Sequence, residues 1–155
     1  MSIKIGDKAP EFTLKDSNGV SVSLADFKGK RIIIYFYPKD NTPGCTKEAC
    51  NFRDNWEILK KNNFIVIGIS KDDQSSHQKF VEKFNLPFVL LTDPLPCKVA
   101  SDYESYGLKK FMGKEYMGMM RHTFVIDSQG NFEQIYLKVK AAVMADHIIN
   151  DLKIN

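Results

Sequence analysis

The sequence predicts an α/β domain in which a mixed central sheet is flanked by helices and entered through an amino-terminal β-hairpin. Three observations carry this. Two continuous β-branched and aromatic runs, residues 31–37 and 64–70, read as strands buried on both faces. Stretches of helical periodicity follow each of them, so strands and helices alternate. A late turn signal, Ser128-Gln129-Gly130, then adds an antiparallel pair that an all-parallel sheet would lack.

The elements run in a simple order. Phe12 and Leu14 alternate with polar residues, Asp16-Ser17-Asn18-Gly19 supplies a turn with positive φ, and Val20, Val22 and Leu24 alternate again. The strand at 31–37 leads through a loop, 38–43, into a helix reaching about residue 61. In it Ala49, Phe52, Trp56 and Leu59 recur at helical spacing. A strand at 64–70, a helix at 75–84, a strand at 88–92 and a helix around 98–106 follow. Strands at 123–127 and 132–139 flank the late turn, and 142–152 closes the chain as a helix. This order fits a thioredoxin-like core, and the late hairpin argues against a flavodoxin-like sheet. No repeat, low-complexity run or Gly/Ser linker divides the 155 residues, so a single domain over 1–155 is expected.

Composition narrows the function classes. At 43% hydrophobic and 26% charged, the chain is ordinary for a globular protein. Its net charge of +3 is small and mixed along the sequence, which points away from nucleic acid. The apolar runs are far shorter than the ~20 residues a membrane span needs, and no apolar signal core stands near Met1. A cytoplasmic protein is the expectation. The cysteines, Cys45, Cys50 and Cys97, number three, which disfavours a disulfide framework. No C-x-x-C pair is present, against both a zinc site and a thioredoxin-type dithiol, and no phosphate-binding glycine motif occurs.

Chemistry concentrates at the start of the first long helix. Thr42 suits the N-cap and Pro43 the first helical position. Cys45 then falls in the first turn, where unpaired N–H groups and the helix dipole favour a thiolate over a thiol. Arg121, a permanent cation, is a candidate partner for that sulfur and for a bound oxyanion or peroxide. Cys50 lies five residues on. In an intact helix the two Cα atoms would be roughly 8.7 Å apart, beyond the ~7 Å reach of a disulfide. The two sulfurs meet only if the first turns unwind, and a turn carrying Pro43 and Gly44 is suited to that.

Blander readings stand beside these. A free cysteine is commonly a small buried hydrophobe, and Cys97 after Pro94-Leu95-Pro96 is expected to be one. His77 and His147 are expected to be solvated on helix faces. Residues 112–120, rich in methionine, are expected to form a mobile loop packing on the core, with a soft binding patch as the alternative. Lys109-Lys110 reads as a plain charge pair. Spacing alone leaves a redox-responsive binding protein and a thiol hydrolase or transferase open.

The stretch Phe36-Tyr37-Pro38-Lys39-Asp40-Asn41-Thr42-Pro43-Gly44-Cys45-Thr46-Lys47-Glu48-Ala49-Cys50 resembles the active-site segment of the peroxiredoxins, in particular the bacterioferritin comigratory protein or Q subgroup. Pro38, Thr42 and Cys45 meet the pattern P-x-x-x-T-x-x-C, and Arg121 in Arg-His-Thr-Phe-Val-Ile-Asp matches the family's active-site arginine. Similarity continues through Gly68-Ile69-Ser70, Leu86-Pro87-Phe88, Phe111-Met112-Gly113-Lys114 and Tyr116-Met117-Gly118. The resemblance implies a thioredoxin-like fold and a thiol peroxidase using neither haem nor metal. Cys45 would be the peroxidatic cysteine and Cys50 the resolving one, their disulfide re-reduced by thioredoxin. Thr42 and Arg121 would orient the peroxide, Gly44 would line its site, and Pro38 would shield the thiolate. An intramolecular disulfide needs no second subunit, so a monomer is expected. One departure stands out. Only Leu108 separates Tyr106-Gly107 from Lys109-Lys110, where relatives usually carry a longer, Trp-containing loop. The chain also lacks a Gly-Gly-Leu-Gly segment, which in this family goes with resistance to overoxidation.

Overall fold

The computed structural model describes residues 1–155. Nine strands and five α-helices follow one another as β1 (Thr13–Asp16), β2 (Ser21–Ser23), β3 (Arg31–Phe36), α1 (Pro43–Asp54), α2 (Trp56–Lys61), β4 (Phe64–Ser70), α3 (Gln74–Phe84), β5 (Val89–Thr92), α4 (Lys98–Asp102), β6 (Tyr106–Phe111), β7 (Lys114–Met119), β8 (Thr123–Ile126), β9 (Phe132–Tyr136) and α5 (Met144–Leu152). Seven strands form one sheet in the order β2-β1-β5-β4-β3-β8-β9. Pairings β3–β4 and β4–β5 are parallel, and the others in this sheet are antiparallel, so the sheet is mixed, as the alternation and the late hairpin predict.

The β-branched run of β3 explains its central place, because both of its faces are covered. Ile32, Ile34 and Phe36 point to one layer, with Phe12, Tyr103, Phe124 and Phe132. Ile33, Tyr35 and Tyr37 point to the other, with Cys45, Phe52, Phe88, Met144 and Ile148 from the helical side. Gly68 in β4 is required here. A Cβ at that position would lie 2.7 Å from Leu90 Cδ2 and 2.8 Å from Tyr35 Cζ, so its absence lets the Tyr35 ring lie across the sheet. Tyr35 then stacks on Phe52 of α1 at a centroid separation of 4.8 Å.

Several boundaries differ from the sequence-based expectation. The first long helix breaks at Asn55 (φ −105°, ψ 9°), which ends α1 and precedes α2. The helix after Cys97 stops at Asp102, since Tyr106 already enters β6, and the last strand stops at Tyr136 rather than continuing to 139. Residues 112–120 are not a loop packed on the core. They belong to a separate two-stranded ribbon, β6–β7, turning at Met112 (φ 51°) and Gly113 (φ 79°). Phe111 and Met117 are exposed on it and Met112 is 87% exposed, so its tip stands in solvent, while Met119 and Tyr106 at its base pack into the core.

His77 also departs from expectation, being fully buried. The polar run Gln74-Ser-Ser-His-Gln-Lys reads as a solvated face, but a carboxylate from a distant loop, Asp40, covers the histidine. His147 stands half-exposed, one helical turn from Asp151 at 3.4 Å. Cys97 is buried, as expected, and its thiol donates to the Asp93 carbonyl. Burial pushes that thiol up, and the adjacent Asp93 adds to the effect. No helix is long and apolar enough to cross a membrane.

Candidate active site

The site forms where the parallel strands end. β3 runs out at Phe36, and residues 37–42 turn the chain into α1. Open α/β sheets place their crevices at this edge, outside the carboxyl ends of the strands. β8 begins antiparallel beside it, with Thr123 opposite Tyr35, and the Phe36 N–H donates to the His122 carbonyl at 2.9 Å. That register carries Arg121 to the end of β3 from 76 positions beyond Cys45.

Pro43 occupies the start of α1, and the first helical bond runs from the Thr46 N–H to the Thr42 carbonyl at 2.8 Å. Thr42 sits at the N-cap position, but its hydroxyl does not cap the helix. It donates to the Lys39 carbonyl at 2.9 Å, holding the loop closed on itself. Pro38 and Thr42 are half-buried at this mouth, and Cys45 is buried in the first turn. Cys50 is half-buried, and all three cysteines are free thiols.

Arg121 joins these parts. Its Nη2 donates to Cys45 Sγ at 3.1 Å and its Nη1 to Glu48 Oε1 at 2.9 Å. A guanidinium donor so placed is complementary to an anionic sulfur. Burial opposes the Arg121 charge, yet Cys45 and Glu48 outweigh it and raise the guanidinium's pKa. Gly44 makes the approach possible, since a Cβ there would stand 3.2 Å from Nη2.

Glu48 is the residue that reading the sequence missed. Within Thr46-Lys47-Glu48-Ala49 it looks like an exposed helix residue, but it is fully buried and its Oε2 has no partner. Burial pushes its carboxyl up to about 7, against the lowering effect of Arg121. A signal was present: Glu48 lies three residues after Cys45 and next to Ala49, inside the apolar stripe. Lys109, midway along β6 opposite Tyr116, is a second nearby cation. Its Nζ donates to the Met119 carbonyl at 3.0 Å, and burial lowers its pKa, with Arg121 adding to the fall and Cys45 opposing it.

A model of the AhpC/TSA family matches residues 5–135. The chain belongs to that family. Within it this is a peroxiredoxin of the bacterioferritin comigratory protein, or Q, group. It is 49% identical over 153 residues to Peroxiredoxin Bcp of Bacillus subtilis (strain 168), covering 99% of this chain and 95% of the relative. Peroxiredoxin Bcp of Escherichia coli (strain K12) is 44% identical over 151 residues, covering 97% and 96%. Among solved structures, the bacterioferritin comigratory protein of Xanthomonas campestris, described with an alkyl peroxide reduction activity, superposes with TM-score 0.85 at 32% identity, covering 92% of this chain and 90% of that one. A Xylella fastidiosa PrxQ variant superposes with TM-score 0.91 at 27% identity, covering 99% and 97%. The thioredoxin-like fold of this peroxiredoxin agrees with the expectation from element order.

Proposed function

We propose that the protein is a thiol peroxidase that reduces hydrogen peroxide and organic hydroperoxides to water and alcohols. One observation carries this reading: the Arg121 guanidinium held 3.1 Å from a buried cysteine sulfur in the first turn of α1. The Cys45 thiolate attacks one peroxide oxygen and the O–O bond breaks. Sulfur is oxidised by two electrons to sulfenic acid, and the departing oxyanion takes a proton to leave as water or alcohol. Arg121 orients the peroxide and receives the charge that develops on the leaving oxygen. The Thr42 hydroxyl, its own proton held by the Lys39 carbonyl, orients the peroxide by accepting from it, Gly44 lines the site, and Pro38 shields the sulfur. The Cys50 thiolate then attacks the Cys45 sulfur, expelling water and forming a disulfide. A dithiol reductant, thioredoxin in this reading, returns both cysteines to thiols.

The helix imposes a condition on the second step. Five residues of α1 separate the cysteines by roughly 8.7 Å between Cα atoms, beyond the ~7 Å a disulfide tolerates. The first turns of α1 therefore unwind before Cys50 reaches Cys45. The pair acts within one chain, so a monomer of one domain suffices, and recycling the disulfide calls for a reducing compartment such as the cytoplasm.

The test is peroxide consumption by the purified protein with thioredoxin, its reductase and NADPH, followed by mass spectrometry of non-reduced peptides. Turnover lost in Cys45→Ser and a dominant Cys45–Cys50 bond are expected. Unimpaired turnover in Cys45→Ser would end the reading. A dominant Cys45–Cys97 or intermolecular bond would remove Cys50 from its role.

A further inference from the structure

A buried polar cluster outside the reaction centre ties the loop before Cys45 to the opposite helix. Asp40 is its hub. Its Oδ1 accepts from the Tyr37 hydroxyl at 2.6 Å, and its Oδ2 accepts from the Ser76 hydroxyl at 2.8 Å and faces His77 Nδ1 at 2.7 Å. The other His77 nitrogen, Nε2, lies 3.1 Å from the Leu91 carbonyl, which can only accept, so Nε2 carries a proton. The Asp40 main-chain N–H donates to Asp72 Oδ2 at 2.8 Å, and Asp72 is itself held by Ser70 and Thr92 at the ends of β4 and β5. Asp40 thus fastens residues 37–42 to α3 through its side chain and, through its main-chain N–H and Asp72, to the ends of two strands of the sheet.

A second attachment stands after the cysteines. Asn51 Oδ1 accepts from the Ala145 N–H at 2.6 Å, and its Nδ2 donates to Asp146 Oδ2 at 2.8 Å, both at the start of α5. Arg53 Nη1 donates to the Phe84 carbonyl at 2.8 Å. The segment 41–50, which holds Cys45 and Cys50, therefore lies between two fixed points. Buried groups with this many partners are costly to release, whereas a first helical turn opens cheaply.

We infer that Asp40, seated on His77, is a positioning residue that restrains the start of α1 in its peroxide-reactive arrangement and sets where unwinding toward the Cys45–Cys50 disulfide begins. This rests on the proposed peroxidase cycle. Asp40 touches neither sulfur. It acts through Pro38 and Thr42, whose places at the mouth depend on the loop it anchors. Releasing the anchor opposes the first step, which needs the loop in place, and favours the second, which needs α1 open.

Rapid-quench alkylation with mass spectrometry resolves the two steps in the intact reduced protein after a peroxide pulse. In Asp40→Ala, Cys45 oxidation is expected to slow at least threefold while conversion of sulfenic acid to disulfide accelerates at least threefold. Amide exchange should rise at least threefold across 41–50 and stay unchanged across 51–54. A merely structural role would move both rates the same way, and that result, or two unchanged rates, would overturn the inference. Should Asp40→Ala fail to fold, Ser76→Ala removes one bond to the same carboxylate and carries the same opposite-sign expectation at about twofold, with the same overturning results. Wild-type protein that forms no Cys45–Cys50 disulfide would instead refute the underlying cycle, and the inference with it.

Discussion

Arg121 holds Glu48 at 2.9 Å with one guanidinium nitrogen and the Cys45 sulfur at 3.1 Å with another, so a buried carboxyl group sets the angle at which a cation meets that sulfur. Both hydrogen bonds depend on the fork of the guanidinium, which a lysine ammonium cannot reproduce. Arg121→Lys and Arg121→Ala should each lower the second-order rate constant for Cys45 oxidation by about a hundredfold, the usual cost of losing one well-placed donor to a developing anion. Stopped-flow oxidation with limiting peroxide measures it. A loss under threefold in Arg121→Lys would show that charge alone suffices.

Glu48 titrates across a range that folding creates. Its ordinary value is 4.5 and burial carries it to about 7, so the folded state binds the proton more tightly than the unfolded chain. The stabilising contribution is therefore complete below pH 4.5 and is lost as pH rises through 7. At about 1.4 kcal/mol per unit this amounts to roughly 3 kcal/mol. Urea unfolding of wild type and Glu48→Gln at several pH values should show wild type losing ground between pH 4.5 and 7 and a level difference above. A difference independent of pH would contradict the assignment.

Gly44 separates stability from reactivity. It lies in the first turn of α1, where alanine gains about 0.5–1 kcal/mol in helix propensity. Its new Cβ, however, would stand 3.2 Å from Arg121 Nη2 and displace a guanidinium fixed at both ends. Gly44→Ala should keep or raise the melting temperature while slowing Cys45 oxidation about tenfold. Unchanged oxidation kinetics would show that Arg121 shifts without loss.

The cysteines should divide by accessibility. Cys50 is half-buried, whereas Cys97 is fully buried and its thiol is pushed up by burial. A maleimide added to native reduced protein should modify Cys50 at least tenfold faster than Cys97, with Cys97 reacting at full rate only in denaturant. Cys50→Ser should complete one oxidation and then stall until an external thiol is supplied. Steady turnover of Cys50→Ser with thioredoxin alone would assign resolution elsewhere.

What the sequence made legible follows the reach of each interaction. The hairpin at 13–23 shows because Asp16, Asn18 and Gly19 shape its turn locally, with Asp16 Oδ1 accepting from the N–H groups of Asn18 and Val20. β3 and β4 show because both faces are buried and the composition says so. The β6–β7 ribbon did not, since most of its side chains beyond the base meet solvent on both faces and no alternation marks a strand. Cys45, Thr42 and Pro38 share one local motif and were readable together. Glu48 and His77 were not, because each is buried by a partner distant in sequence: Arg121 lies 73 residues from Glu48, and Asp40 lies 37 from His77. Charged residues on helices read as solvated until such a partner is placed over them.

The sheet separates two hydrophobic layers, and every residue of the proposed reaction lies on the helical side or at its rim. In the proposed cycle, opening the first turns of α1 would disturb the packing around Cys45 and leave in place both Phe52, flanked by the anchored Asn51 and Arg53, and the opposite layer of Phe12, Tyr103, Phe124 and Phe132. Under the proposed function the molecule would be a hull with a hatch: one layer would keep the chain afloat through each redox cycle while the start of α1 on the other swung. Wear in the hull would sink the fold, whereas wear in the hatch would only change how fast it opens and shuts.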